Sequence, residues 1–143
     1  MTDVTVAIDV PAPPAVVWEV LTDVESYARW NTLLSVDGEF VVGNTVSVRL
    51  SMPGLPTVRL RPEITAVEPE RALRWRSRLF GIEAEHAFLV EPASDGTTRF
   101  VQTESFDGPV AGVLADRLDR RIRRGFEQMN LGLRRRAVEL RDG

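Results

Sequence analysis

The stretch that decides the fold is PVAGVLADRLDRRIRRGFEQMNLGLRRRAVEL, residues 109–140. Its apolar residues recur at three- and four-residue intervals, the spacing that places side chains along one face of an α-helix. A proline opens the stretch, and proline is well tolerated in the first turn, where its missing N–H has no helical partner. The sequence therefore predicts one long helix over about 109–140. Its predicted apolar face comprises Leu114, Leu118, Ile122, Met129, Leu133, Ala137 and Leu140.

Upstream of this helix, the chain alternates apolar and polar residues with the period of two that is typical of half-buried strands. Clusters of glycine, proline, asparagine and aspartate separate these segments and indicate turns. Pro62 falls inside one of them, and we expect a bulge or a sheet edge there because proline cannot donate to a strand ladder. Strands are predicted over residues 4–10, 46–51, 58–64, 73–78, 85–90 and 100–106.

Between the first two strands lies VVWEVLTDVESYARW, residues 16–30, which follows a proline-rich segment. Asp23 divides it and can cap a second helix, so two short helices fit better than one long helix. Strands in hairpins followed by a helix give an α+β fold. We therefore expect a single domain over residues 1–143, with a curved antiparallel sheet of six to seven strands around the long C-terminal helix.

Composition excludes several classes of site. The sequence contains no cysteine and one histidine, His86, so thiolate metal sites, thiol nucleophiles and sites with two histidines are excluded. We expect no metal and no cofactor. The net charge of −3 argues against a nucleic-acid partner. No apolar run approaches the ~20 residues of a membrane span, and the first residues lack a signal-peptide pattern. The expected protein is cytoplasmic, without an integral membrane segment, and a monomer or homodimer.

The order of motifs resembles that of the START-like, helix-grip superfamily (SRPBCC), which includes polyketide cyclase/dehydrase and lipid transport proteins. VTVAIDVPAPPAVVWEVLTDVESYARWN, residues 4–31, is similar to the opening of that family, although Thr32 stands where the family often has proline. Leu73-Arg74-Trp75, residues 86–88, residues 103–108 and residues 125–130 resemble its later motifs in the same order. The resemblance implies a helix-grip fold around a cavity for a small hydrophobic molecule.

Hairpin registers predict a row of side chains that face the helix. A two-residue loop at Phe80-Gly81 pairs Trp75 with His86, and a three-residue loop at 94–96 pairs His86 with Glu104. A slip of one residue would break the row, because it would turn the side chains to the opposite face. The candidate ligand-binding residues on the inner face are Trp75, His86, Phe88, Gln102, Glu104, Phe106, Phe126 and Met129.

An inward histidine beside an inward glutamate has two interpretations. The carboxylate can orient the imidazole as a general base or ligand anchor, which makes His86 and Glu104 the catalytic candidates. Alternatively, the pair is a polar island whose hydrogen bonds Gln102 completes. Three functions stay open: binding or carrying a lipid-like, aromatic or polyketide-like molecule; aromatase/cyclase or dehydratase activity with this pair as acid and base; and a protein-interaction module that resembles chaperone activators.

The opposite face of the predicted sheet carries arginines. The same register places Glu85 opposite Arg76 and Glu83 opposite Arg78, so we expect cross-strand ion pairs on a solvated surface. The alternative is a surface for an anionic membrane or a protein partner. The arginines of the long helix lie mostly off its apolar face.

Overall fold

The computed structural model describes residues 2–79 and 81–143. The described elements are β1 Thr2–Val10, α1 Pro14–Thr22, a 3₁₀ helix Val24–Arg29, β2 Leu34–Asp37, β3 Ser47–Leu50, β4 Val58–Leu60, β5 Glu63–Glu68, β6 Ala72–Leu79, β7 Ile82–Pro92, β8 Thr98–Asp107 and α2 Ala111–Asp142. The α+β fold, the two short helices and the long C-terminal helix are confirmed.

The strands form two antiparallel sheets. The larger sheet has the order β1-β8-β7-β6-β5, and the smaller one has the order β2-β3-β4. Instead of one sheet of six to seven strands, the described part of the chain has eight strands, divided between two sheets. Pro62 explains one difference, since the predicted strand 58–64 ends before it as β4 and resumes after it as β5. The four-residue β2 explains the other, since the sequence pattern did not indicate it.

Helix α2 lies against the larger sheet and buries most of its predicted face. Ile122, Met129, Leu133 and Ala137 are buried, and Leu118 and Leu140 are partly buried against the core. The assignment of Leu114 to this face is wrong, because its side chain is 43% exposed. Its neighbours Ala111 and Ala115 occupy the buried positions at that end of α2 instead. Leu114 lies about 100° around the helix from Ala115 and points away from the sheet.

The segment between α1 and β2 is fixed by polar groups as well as by burial. The buried Tyr27 donates a hydrogen bond to the carbonyl of Leu21, and burial raises the pKa of Tyr27, with the nearby Asp23 adding to the effect. The Oδ1 of Asn31 accepts hydrogen bonds from the backbone N–H groups of Leu33 at 3.0 Å and Leu34 at 2.8 Å. The Trp-Asn motif of the sequence thus begins the strand β2.

Two glycines let α2 approach this segment closely. A Cβ added to Gly132 would lie 2.2 Å from the carbonyl oxygen of Trp30. A Cβ added to Gly125 would lie 2.9 Å from Cδ1 of Leu33. Contacts below 3 Å are essentially never made by real Cβ atoms, so a Cβ at Gly132 would displace backbone and a Cβ at Gly125 would displace the end of a side chain. The helix is therefore held between the larger sheet on one side and the segment around Trp30 and Leu33 on another.

Candidate functional site

The predicted row of side chains is confirmed by the strand registers. Trp75 pairs with His86 across β6 and β7, and His86 pairs with Glu104 across β7 and β8. Leu79 pairs with Ile82, as expected for a two-residue loop between β6 and β7. Phe80, one of its two residues, lies outside the described residues. Short loops leave no freedom to shift the strands, which is why the register followed from the sequence.

A chain of four polar side chains connects the sheet to α2. The Nδ1 of His86 lies 2.9 Å from Oε2 of Glu104, and its Nε2 lies 3.0 Å from Oε1 of Gln102. The Nε2 of Gln102 donates to Oδ1 of Asn130 on α2 at 2.8 Å. We call Glu104, His86, Gln102 and Asn130 the polar chain. It begins at Glu104, whose side chain is 18% exposed, and ends inside the protein at Asn130.

The glutamate fixes one proton of the histidine. When Glu104 is ionised, its carboxylate can only accept hydrogen bonds, and the Nδ1 of His86 then carries a hydrogen and donates it to Glu104. The imidazole is thereby held in one orientation, with its Nε2 directed at Gln102. The side chain of His86 is only 5% exposed, so solvent does not compete for either nitrogen.

The polar chain has two hydrogen-bonding patterns at the same atom positions. With Gln102 donating to Asn130, both nitrogens of His86 face oxygen atoms, and the imidazole must be protonated on both. When both amides are turned over, Asn130 donates to Gln102, and Gln102 donates to Nε2 of a neutral His86. The second pattern gives the Nδ2 of Asn130 a partner but takes the partner of its Oδ1, and it gives up the donation from Nε2 of Gln102 to the carbonyl of Phe126 at 3.4 Å. The chain can thus accommodate either charge state of His86.

Aromatic side chains enclose the histidine. The ring of Phe88 stacks on the imidazole with centroids 4.2 Å apart, and Phe126 of α2 lies 5.0 Å from it. Trp75 lies 5.6 Å from the imidazole and meets Phe88 edge-on at 5.1 Å. This surrounding keeps water from His86 and Gln102 and strengthens their hydrogen bonds.

Hydrogen bonds or ring contacts join six of the eight predicted residues, and the other two belong to or pack against the same core. Six of them lie together: Trp75, His86, Phe88, Gln102, Glu104 and Phe126. Met129 is fully buried in the core, and Phe106 is partly buried near the C-terminal end of β8, opposite Ala84. The sequence analysis missed Asn130. The signal for it is a polar residue four positions after Phe126 on the buried face of α2, where the apolar spacing requires an apolar side chain.

Two surface pockets lie outside this group. One, of about 520 Å³, lies beside α1 and is lined by Trp18, Phe40 and acidic residues that include Asp23. The other, of about 600 Å³, lies on the smaller sheet and is lined by Arg49, Arg61 and neighbouring residues. Neither contains any of the eight predicted residues. The side chains of the predicted site are instead packed against one another.

Metal-binding clusters and membrane-spanning helices are both absent from the described part of the chain. No group of three or more histidine, aspartate or glutamate side chains in residues 2–79 and 81–143 could hold a metal ion. Over the same residues, no helix combines the length and the apolar composition that crossing a membrane requires.

Solved structures resemble the whole chain. TTHA0849 from Thermus thermophilus has a TM-score of 0.75 at 20% identity, with 97% of this chain and 99% of that chain covered. The Zhui aromatase/cyclase from Streptomyces sp. R1128 has a TM-score of 0.73 at 20% identity, with 96% and 93% covered. Protein Ms6760 from Mycobacterium smegmatis has a TM-score of 0.76 at 18% identity, with 96% and 92% covered. At such identities, the likeness establishes the fold alone.

Sequence comparison establishes the family. No curated protein sequence matches the chain. The family model described as polyketide cyclase/dehydrase and lipid transport matches residues 1–137. This match spans nearly the whole sequence and agrees with the helix-grip arrangement of sheet and C-terminal helix. The chain therefore belongs to the polyketide cyclase/dehydrase and lipid transport family.

Proposed function

We propose that the protein binds a small hydrophobic molecule between the larger sheet and α2, with Glu104 as its polar anchor. The observation that carries this proposal is the polar chain inside a shell of aromatic rings. Burying polar groups is unfavourable unless they are hydrogen-bonded, and an apolar core of the same shape would be as stable or more so. An apolar wall with a few converging polar groups is the usual design of a small-molecule site.

The contact with the ligand is assigned to Glu104 rather than to His86. Of the polar chain, Glu104 is the member nearest to solvent. Its hydrogen bond to His86 uses one carboxylate oxygen, and the other can accept a hydrogen bond from a ligand hydroxyl. His86 is then a positioning residue, which holds the carboxylate in place. The ligand class is an apolar molecule with at least one hydroxyl, such as a phenol-containing polyketide or a hydroxylated lipid.

Entry of the ligand requires the packed side chains to separate. Phe126 is the residue of α2 whose ring contacts the imidazole, with centroids 5.0 Å apart. Glu104 and Phe106, at the partly exposed end of β8, are the members of the predicted set closest to the surface. A ligand that enters there would displace Phe126 and come to lie against Phe88 and Trp75.

A matched pair of tryptophan substitutions tests this proposal. Phe126→Trp places a larger ring over the imidazole, so it should weaken binding of the neutral fluorescent probe N-phenyl-1-naphthylamine at least about tenfold, a change of about 1.4 kcal/mol. Leu131→Trp adds the same ring at a position of α2 that is 52% exposed, and should leave the affinity unchanged. Equal affinities of all three proteins, measured by fluorescence titration, would show that the probe binds elsewhere.

Native mass spectrometry of the freshly purified protein can identify the ligand. A retained molecule should appear as a mass above that of the chain and should be lost under denaturing conditions. The same measurement on Glu104→Ala should show a lower retained fraction, because the hydroxyl of the ligand loses its acceptor. Retention that is identical in Glu104→Ala would remove the anchor from the proposal but not the apolar site.

The second candidate function is cyclase or dehydratase activity, and the two hydrogen-bonding patterns of the polar chain favour it. A residue pair that holds or releases a proton without losing its hydrogen bonds is suited to general acid–base catalysis. In a dehydration, Glu104 would take a proton from the carbon next to a carbonyl. A carbon–carbon double bond would form as the bond to the β-hydroxyl breaks, and Glu104 would return the proton so that the hydroxyl leaves as water. His86→Ala separates the functions: an enzyme should lose turnover, whereas a carrier should retain its ligand with weaker affinity.

A further inference from the structure

Arginine side chains cover two separate surfaces, and their ionic partners differ. On the outer face of the larger sheet, Arg74 lies 3.8 Å from Glu85, while Arg76 and Arg78 lie 3.7 Å and 3.3 Å from the carboxylate of Glu83. The expected register is present, with Arg76 opposite Glu85 and Arg78 opposite Glu83, but only the second of these forms an ion pair. Glu85 pairs diagonally with Arg74 instead. This first group of arginines is largely balanced by its own sheet and offers little net charge to a partner.

The second group lies on the outer face of α2, which points away from the sheet. Residues there follow one another at intervals of three and four positions, so they share one side of the helix. All nine are exposed and five are arginines, and the exposed Glu139 and Asp142 continue this side of the helix beyond the last of them. We call this set the outer stripe: Val113, Leu114, Arg117, Arg120, Arg121, Arg124, Gln128, Leu131 and Arg135.

The charge of the outer stripe is only weakly balanced by its neighbours. Arg135 pairs with Glu139 at 3.8 Å, but the ion pairs found in residues 2–79 and 81–143 include none of its other four arginines. Asp116 and Glu127 are exposed on one flank of the stripe, and neither takes part in those ion pairs. A chain with a net charge of −3 thus carries a surface on which arginines outnumber carboxylates.

Apolar side chains lie beside these arginines. Val113, Leu114 and Leu131 of the stripe are between 43% and 62% exposed, and Val110, just before α2, is 56% exposed. Leu79 at the end of β6 is also exposed. The connection before α2 packs directly on that hairpin, because a Cβ on Gly108 would lie 2.7 Å from the carbonyl of Gly81. Four of these apolar residues therefore gather at the end of the molecule where α2 begins.

We propose that the outer stripe and the apolar residues beside it dock the protein on a bilayer that contains anionic lipids. Guanidinium groups bind lipid phosphates in a bidentate manner, and a row of them is attracted to an anionic membrane surface. Apolar side chains on the same surface insert at the boundary between headgroups and acyl chains. A soluble polyanion would be held by the arginines alone, and the exposed valines and leucines favour the membrane. This docking does not depend on whether the interior binds a ligand.

Two charge-matched triple variants test the docking by co-sedimentation with vesicles. The wild type should bind phosphatidylcholine vesicles that contain phosphatidylserine, should not bind phosphatidylcholine alone, and should lose binding as salt screens the charges. Arg117→Gln/Arg121→Gln/Arg124→Gln should weaken binding about fivefold for each arginine, or roughly a hundredfold in all. Arg74→Gln/Arg76→Gln/Arg78→Gln removes the same charge from the paired group and should bind within about twofold of the wild type.

The apolar residues distinguish a membrane from another polyanion. Val113→Ser/Leu114→Ser should weaken vesicle binding by at least about tenfold, since each buried apolar side chain contributes at the interface. Equal vesicle binding by this variant, or binding of duplex DNA as strong as that of vesicles, would overturn the membrane proposal in favour of a polyanion site. A wild type that fails to bind the phosphatidylserine vesicles would also overturn it. Circular dichroism of each variant verifies that the fold is retained.

Discussion

Gly132→Ala is expected to destabilise the protein by about 3 kcal/mol, although alanine is the better helix former by about 1 kcal/mol. The added Cβ would lie 2.2 Å from the carbonyl oxygen of Trp30. That oxygen belongs to the backbone between the 3₁₀ helix and β2, so it cannot move without shifting the segment that Asn31 and Tyr27 hold. Either α2 moves off this segment or the segment moves off the core, and both lose packing.

Gly125→Ala is the control for this prediction, in the same helix and with the same chemical change. Its Cβ would meet Cδ1 of Leu33 at 2.9 Å, which is the end of a side chain that can rotate away. The gain in helix propensity then offsets most of the repacking, and we expect stability within about 1 kcal/mol of the wild type. Urea denaturation measures the free energy of unfolding of both variants and of the wild type. A Gly132→Ala protein as stable as Gly125→Ala would mean that α2 does not contact Trp30 as described.

Gln102→Leu is expected to destabilise the protein by about 2–4 kcal/mol, even though leucine fits a buried position of similar size. Gln102 is fully buried and lies between Nε2 of His86 and Oδ1 of Asn130. Leucine would leave both groups without this partner, and each unsatisfied buried polar group is unfavourable by about 1–3 kcal/mol. The urea midpoint should fall accordingly, with an unchanged dependence on denaturant.

The adjacent residue provides the control. Thr103 points to the opposite face of β8, where its hydroxyl lies 2.9 Å from that of Thr5 in an exposed pair. Thr103→Val removes one exposed hydrogen bond and should change stability by no more than about 0.5 kcal/mol. A double variant, Gln102→Leu/Asn130→Leu, should recover part of the lost stability, because it removes one of the buried polar groups that Gln102→Leu leaves without a partner. Additive losses in the double variant would contradict the coupling within the polar chain.

The inner row of the site could be predicted because tight hairpins leave a single register. The loops after Leu79 and after Ala93 are short, and positive φ angles occur in both, at Gly81 (74°) in the first and at Asp95 (59°) and Gly96 (73°) in the second. Counting residues back from those turns places His86 opposite both Trp75 and Glu104, and the alternation of side chains puts all three on one face of the sheet. The fold class followed in the same way from the order of strands and helix.

Other parts could not be derived, for physical reasons that differ from case to case. Leu114 fits an apolar spacing, but periodicity cannot tell a buried leucine from an exposed one at the edge of a stripe, and here alanines take the inner positions. Asn130 is an isolated polar residue on an apolar face, and its role depends on Gln102, which lies 28 residues away in sequence. Pro62 indicated an interruption of its strand, but the assignment of the two halves to separate sheets depends on how the strands bend apart, which no local pattern specifies.

That division has a consequence for how the molecule opens. The smaller sheet is joined to the larger one through a short stretch of backbone, in which Val46 donates to Pro62 at 3.1 Å, Ile64 donates to Asn44 at 2.8 Å, and Gly43 donates to Ile64 at 2.9 Å. Opening β2 to β4 as a hinged flap would break these few hydrogen bonds and expose the buried Leu34, Val46 and Val48, while the five paired strands stay intact. The flap carries Met52 and Pro53, which cover α2 at Gly125. A transient opening there would expose the middle of the helix to exchange with solvent long before the protein unfolds.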